Sequence, residues 1–261
     1  MICGKEEEQG IDKFINQIIH GDCLEVMKEI PSGSIDMILC DLPYGTTACA
    51  WDTVIPFEPL WEQYERVIKD NGAIVLFGQE PFSSYLRVSN IENFKYDWYW
   101  EKERLTNIAQ VKKRAGKTVE TISVFYKKQC TYNPQMQKYE GKKRTNKVKN
   151  GKLGELIDGG TKRVKEYQDT GWRYPTQVLS FQRDILTSNL HPTQKPVALC
   201  EYLIKTYTNE GEIVLDNCIG SGTTAIAALN TGRNFVGIEL EEEYVEIARK
   251  RIEEARKNNA E

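Results

Sequence analysis

Residues 213–239, IVLDNCIGSGTTAIAALNTGRNFVGIE, decide how this chain folds. Ile213-Val214-Leu215-Asp216 is a short apolar run that ends on an acid. Asn217 to Thr224 follows as a turn carrying Gly220 and Gly222, and Ala225-Ile226-Ala227-Ala228-Leu229 then has the composition of a helix. A second apolar run, Asn234-Phe235-Val236-Gly237-Ile238, ends on Glu239. The order is strand, glycine turn, helix, strand, acid. In such a β-α-β unit the glycines let the backbone approach a ligand closely, and the terminal acid is placed to bond ribose hydroxyls.

A second strand end carries different chemistry. The apolar run Ile35-Asp36-Met37-Ile38-Leu39-Cys40 leads into Asp41-Leu42-Pro43-Tyr44. The Asp41 carboxylate can accept one N–H bond and the Pro43 carbonyl a second. The Tyr44 ring offers a stacking face. Two acceptors and one platform suit the exocyclic amino group of a flat base. Asp41 and Asp216 both end apolar strands. If those strands are neighbours at the point where strand order reverses, the two ligand pockets adjoin.

The rest of the chain alternates in the same way. Residues 14–20 read as a strand, and Asp22 as the cap of a helix over 23–30. Pro31-Ser32-Gly33 reads as a turn, 57–69 as a helix stopped at Asn71-Gly72, and 73–77 as a buried strand. Gln79-Glu80-Pro81 opens another helix. Tyr96, Trp98 and Trp100 at period two mark a strand over 94–100, with 121–126 as its sheet partner. Residues 131–190 lose this periodicity and read as an insertion. A helix over 196–207 precedes the glycine unit, and a charged terminal helix over 241–257 turns Tyr244, Ile247, Ala248 and Ile252 inward. Trp51 and Trp61 read as packing residues. The expected domains are 1–100, a basic insertion over 101–190, and 191–261.

Composition narrows the class. The chain has 261 residues, and no apolar run approaches a membrane span. The charged start, Met1 to Asp12, lacks the apolar core of an export leader. Seven cysteines without a C-x-x-C pair, and only His20 and His191, argue for reduced thiols in a cytoplasmic protein and against structural zinc or a histidine-rich metal site. The net charge of −3 hides an asymmetry: residues 101–168 hold 18 basic and 7 acidic residues, a net of +11, against −14 for the remainder. With Tyr126, Tyr132, Tyr139, Tyr167 and Trp172 in and beside it, this field suits a nucleic acid.

With these residues in view, the chain resembles the S-adenosylmethionine-dependent DNA amino-methyltransferases, and within them the adenine-N6 type in which the catalytic half precedes the cofactor half (the β-group). Asp41-Leu42-Pro43-Tyr44 matches the D-P-P-Y catalytic motif, and Asp216 to Thr224 resembles the D-P-F-x-G-S-G-T-T cofactor loop. His191-Pro192-Thr193-Gln194-Lys195-Pro196 is similar to the segment leading into the helix beside the methionine part of the cofactor, and Gly21-Asp22-Cys23 to the acidic turn that receives the donor's adenine.

The resemblance implies an α/β, Rossmann-like fold with a mostly parallel central sheet in circularly permuted order, plus an inserted target-recognition region. It implies catalytic Asp41, Pro43 and Tyr44. It implies donor contacts from Asp22, Asp216, Cys218, Gly220, Ser221, Gly222, Thr223, Glu239, His191 and Lys195, and no metal. The implied reaction is transfer of a methyl group from S-adenosylmethionine to adenine N6 in double-stranded DNA, with the base flipped out of the stack.

Two departures stand out. Leu42 replaces a proline, which loosens the catalytic loop. Asn217-Cys218 replaces Pro-Phe, which implies weaker stacking on the donor and lower donor affinity. Cytosine-N4 members usually carry serine at the position of Asp41, which favours adenine. Cytosine-N4 transfer, an inactive nucleic-acid-binding protein and a nicotinamide-dependent oxidoreductase are the competing readings. The last lacks a hydride site and places its glycine turn unusually late. A homodimer, a cognate restriction endonuclease and a phage or prophage origin stay open, in a protein of the bacterial cytoplasm without a membrane partner.

Overall fold

The computed structural model describes residues 10–45, 52–141, 170–183 and 194–258. His191, Trp51, Tyr167 and much of the expected insertion lie outside the described residues. In chain order the elements are β1 (Gln17–His20), α1 (Cys23–Lys28), β2 (Ile35–Cys40), α2 (Phe57–Val67), β3 (Ile68–Gly78), α3 (Phe82–Ser89), β4 (Phe94–Glu101) and β5 (Val119–Phe125). There follow β6 (Gln137–Lys138), β7 (Trp172–Arg173), β8 (Val178–Ser180), α4 (Val197–Tyr207), β9 (Ile213–Asp216), α5 (Thr223–Asn230), β10 (Asn234–Glu239) and α6 (Glu242–Asn258).

Eight of the strands form one sheet in the order β1-β10-β9-β2-β3-β5-β4-β8. From β1 to β3 the strands run parallel, while β5 is antiparallel to both β3 and β4. The chain leaves β9 toward β10 on one side and leaves β2 toward β3 on the other. Strand order therefore reverses between β2 and β9, which pair directly through Met37↔Val214 and Ile38↔Leu215. That is the adjacency the two strand-end motifs required, and the α/β, mostly parallel, Rossmann-like architecture follows from it.

The sheet is covered on both faces. Strand β2 is wholly buried, as a central parallel strand must be. Its Met37 and Leu39 pack in a core with Leu199, Leu203, Ala225 and Ala248 from α4, α5 and α6. Its Ile38 and Cys40 pack in the opposite core with Met27, Leu60, Tyr64 and Leu86 from α1, α2 and α3. Each buried aliphatic side chain of this kind contributes about 1.5–3 kcal/mol, so the segment that carries Asp41 is anchored from two sides.

Two expectations are revised. Asn71-Gly72 is not a stop: β3 begins at Ile68 and runs through it. The register against β2 shifts between Ile35 and Met37, and a Cβ at position 72 would meet the Asp36 carbonyl oxygen at 2.8 Å. The glycine therefore serves a bulge where two backbones nearly touch. In α6 Ala248 and Ile252 are buried as expected, while Val245 is buried in place of the expected Tyr244 and Ile247 is half-buried.

Residues 101–190 do not form a single body. Strands β5 and β8 from that range belong to the main sheet. A second compact unit spans 134–176. Its described part pairs β6 with β7 through Gln137↔Arg173 and Lys138↔Trp172. The Arg173 guanidinium lies 4.4 Å from the centre of the Tyr139 ring.

Candidate active site

The carboxyl ends of β2, β9 and β10 open into one cavity of about 820 Å³. Asp22, Asp41, Pro43, Tyr44, Lys195, Asp216, Cys218, Gly220, Ser221, Thr223 and Glu239 all line it. Of the expected site residues only Gly222 is absent from the wall, and His191 lies outside the described residues.

The glycine turn is built for two separate reasons. Gly220 has φ +51° with nothing near its missing side chain, so it leaves open space on the cavity wall. Gly222 has φ +85°, and a Cβ there would meet the Ala248 Cβ at 3.1 Å. Gly222 thus lets α6 pack against the start of α5. Helix α5 begins after Gly222 without a side-chain cap. The Thr223 hydroxyl oxygen beside it is buried and has no hydrogen-bond partner among the described residues. An uncapped helix start with an unsatisfied hydroxyl is a place for an anionic group.

Glu239, at the end of β10, is held by three backbone donors: Gly220 N at 2.7 Å, Leu240 N at 2.9 Å and Glu241 N at 3.0 Å. Oε1 takes two of these bonds and Oε2 one, so Oε2 keeps lone-pair capacity for a hydroxyl donor. Asp22 caps α1, and Leu24 N donates to its Oδ1 at 2.8 Å. It is a cap and a cavity residue at once. Asp216 accepts from Cys218 N at 3.1 Å. Burial and the nearby Asp41 charge outweigh its hydrogen bonds from Thr224, Cys218 and Cys40, and its carboxyl is pushed up to about 6.

Asp41 sits in a different setting. The Lys195 ammonium donates to its Oδ2 at 2.5 Å, and the Tyr44 hydroxyl donates to its Oδ1 at 2.5 Å. Lys195, expected at the donor, therefore lies on the acid of the base pocket. Burial opposes its charge, but Asp41 and Glu120 outweigh that and hold its pKa above the ordinary lysine value. Burial pushes the Tyr44 phenol well above its usual range, with the Asp41 charge adding to it. The Tyr44 ring packs against Phe82, centroids 5.0 Å apart. Leu42, where the motif has proline, is buried in the core with α1, α2 and α3.

Sequence reading missed Glu120. It is 2% exposed, it lies 3.8 Å from the Lys195 ammonium and 3.1 Å from that of Lys102, and Gln79 Nε2 donates to it at 2.8 Å. Burial works against its ionisation, but Lys195 and Lys102 prevail and keep its carboxyl below the usual range. The signal was present: Glu120, Ile122 and Val124 alternate on one face of β5, and an acid at an inward position of a strand needs a partner. Asn217 also has a use. Its Oδ1 accepts from the Tyr64 hydroxyl at 2.5 Å, which ties α2 to the glycine turn. The Cys218 thiol is hydrogen-bonded to Cys23 and Cys40, which with burial push its pKa well up and keep it neutral. Among the described residues no group of three or more histidine, cysteine or acidic side chains could hold a metal ion.

The comparisons with known proteins agree with this architecture. The DNA methylase family profile matches residues 35–250. The DNA adenine methyltransferase YhdJ of Escherichia coli K12 is 30% identical, over 94% of this chain and 85% of its own length. The Type II methyltransferase M.HinfI of Haemophilus influenzae is 27% identical, over 96% and 72%. Among solved structures, the M1.HpyAVI–S-adenosylmethionine complex is 29% identical, with a TM-score of 0.61 over 90% of this chain and 98% of that one. The cytosine-N4-specific PvuII DNA methyltransferase, 16% identical with a TM-score of 0.62, shares the fold. This chain belongs to the N6/N4 DNA methylase family.

Proposed function

We propose that this DNA methylase transfers a methyl group from S-adenosylmethionine to the N6 amino group of adenine in double-stranded DNA. The observation that carries the reading is a single cavity holding an acid–proline–tyrosine set at the end of β2 and a ribose-type acid with a glycine turn at the ends of β9 and β10. Two groups that must react need that adjacency. Adenine is favoured by Asp41 itself and by the similarity to YhdJ and M.HinfI.

The residues present fit the donor. The uncapped start of α5 with the unsatisfied Thr223 hydroxyl suits its carboxylate. The buried Asp216 carboxyl, which has no cation in hydrogen-bond contact among the described residues, suits its ammonium. Glu239, fixed by three backbone donors, suits its ribose hydroxyls, and Asp22 its adenine amino group. When bound, S-adenosylmethionine would supply a methyl group already activated on a sulfonium, so no metal is called for.

The chain's own residues then handle the base. Tyr44 presents a face for stacking. Asp41 and the Pro43 carbonyl accept hydrogen bonds from the two N6 N–H groups and orient the nitrogen lone pair. Asp41 must first exchange its bond with Lys195 for one with the base. Glu120, 3.8 Å from the ammonium, is the acid toward which Lys195 can shift without leaving a buried charge unpaired. Asp41 also lies where a proton leaving N6 can be accepted.

The second unit, with its basic and aromatic residues Lys138, Tyr139, Trp172 and Arg173, is proposed as part of the target-recognition region. A cognate restriction endonuclease is supported by the similarity to the Type II methyltransferases M.HinfI and M2.DpnII. No helix among the described residues is long and apolar enough to cross a membrane, in keeping with action on DNA in the cytoplasm. The test is incubation of unmethylated genomic DNA with protein and methyl-labelled S-adenosylmethionine, then digestion to nucleosides. Label in N6-methyldeoxyadenosine supports the reading; label in N4-methyldeoxycytidine, or none in DNA, overturns it.

A further inference from the structure

The connection between β4 and β5, residues 102–118, is too ordered for a slack surface loop. Asn107 closes it from within: its Oδ1 accepts from Lys117 N at 2.7 Å and its Nδ2 donates to Ala115 O at 3.0 Å. Thr106 N and Lys102 N add bonds to Lys117 O and Thr118 O at 3.0 and 2.7 Å. The base of the loop is fastened to the acid cluster of the site, since the Lys117 ammonium donates to Gln79 Oε1 at 2.5 Å and Gln79 donates on to Glu120 at 2.8 Å. Leu105 and Thr106 line the catalytic cavity itself.

At the tip, Ile108 opens a short 3₁₀ turn, Ile108–Gln110, and is 70% exposed. A single exposed isoleucine is ordinary. This one is held outward by a hydrogen-bonded frame, with Val111 exposed beside it. Arg104, Lys112, Lys113 and Arg114 on the same loop are all exposed. The acid next to Arg104, Glu103, is already taken by Arg183 at 2.9 Å. An apolar tip on a loop that also carries exposed cations, and that reaches the cavity wall through Leu105 and Thr106, matches the chemistry of duplex DNA. Phosphates meet the cations, and an apolar side chain takes the place of a base in the stack.

We infer that the β4–β5 loop enters the DNA, with Ile108 filling the space left by the flipped adenine and Arg104, Lys112, Lys113 and Arg114 holding the phosphates around it. The inference rests on the proposed base-flipping methylation. Unstacking a base costs a few kcal/mol, and a wedge lowers that cost only while the base is out. Its loss should therefore appear in flipping and transfer and leave donor binding alone.

The experiment uses the full-length protein and two duplexes carrying the motif that the wild type methylates, one with the target adenine to read transfer and one with 2-aminopurine at that position to report extrusion. Ile108→Ala should lower the fluorescence rise and cut the methylation rate about tenfold or more, with unchanged S-adenosylmethionine affinity. Setting the target adenine in a mismatch, where pairing no longer opposes flipping, should restore most of the lost rate. Lys112→Gln with Lys113→Gln should reduce the salt dependence of DNA binding by about two units of slope. Wild-type flipping and transfer in Ile108→Ala, or an equal loss on paired and mismatched duplexes, overturns the wedge while leaving the methyltransferase reading intact. Absence of methylation by the wild type overturns both.

Discussion

Asp41 and Asp216 stand at the ends of neighbouring parallel strands, one residue past β2 and the last residue of β9, and line the same cavity. Their surroundings are opposite. Asp41 has a buried ammonium at 2.5 Å and a phenol at 2.5 Å. Among the described residues the hydrogen bonds to Asp216 come from neutral donors, and its carboxyl is pushed up to about 6. An acid that already has its cation can orient a neutral amino group once it lets go of that cation. An acid without one attracts a cation from outside. The difference divides one cavity into a base side and a donor side, and it does so with a single residue type.

Removing the acid of the base side gives the largest effect. Asp41→Ala should lower methyl transfer about a hundredfold to ten-thousandfold, the range for losing a positioned acid–base group. Calorimetry should show little change in donor affinity. A comparable loss of donor binding would erase the distinction between the two acids.

Lys195→Met tests what holds Asp41. It removes the cation that both Asp41 and Glu120 share, and among the described residues Glu120 keeps Lys102. Loss of one partner of a buried pair costs about 3–5 kcal/mol, to be read as a fall in unfolding free energy. Unaltered stability would mean that the ammonium is dispensable to the site.

The donor side should reveal itself through pH. Asp216 is flanked by Asp41 with its Lys195, and by Cys40, Cys218 and Thr224. Its folded pKa of about 6 lies above the ordinary 3.8. Its contribution to stability is therefore full below about pH 4 and is lost as pH rises through about 6. Without donor at pH 7.5, Asp216→Asn should be more stable than the wild type by about 1–3 kcal/mol. A cationic donor prefers the ionised acid, so wild-type donor affinity should rise as pH rises through about 6, and the Asn variant should lose that step and bind about tenfold more weakly. A pH-independent affinity in the wild type would remove the ammonium from this acid. The smallest effect belongs to the tie between the two sides: Tyr64→Phe leaves the Asn217 oxygen buried without its donor and should cost about 1–2 kcal/mol in chemical denaturation, with transfer nearly intact.

The strands of the parallel half and both acid-bearing ends were legible because apolar runs ended by acids, glycines and prolines are local signals, whereas the pairing of β2 with β9 at the switch point is seen only in the structure. Asn71-Gly72 misled, since a dipeptide that usually marks a turn here serves a bulge set by the neighbouring strand. Glu120 was passed over as one acid in a basic stretch, because its partners come from positions 79, 102 and 195. Lys195 was placed at the donor by its neighbours in sequence, whereas its salt bridge is 154 positions away in the chain. Side-chain pairings across a sheet have no local trace. The replacement of proline by Asn217 became intelligible only when Tyr64, on a helix 153 positions earlier, was seen to use it.

The central claim is that the end of β2 methylates adenine in DNA. Its most direct test is single-molecule sequencing of DNA from otherwise methylation-free cells expressing the wild type or Asp41→Ala. The account predicts N6-methyladenine at one short motif with the wild type and none with the variant. The same motif marked in both, or no marked adenine from a wild-type protein that binds S-adenosylmethionine, would contradict it.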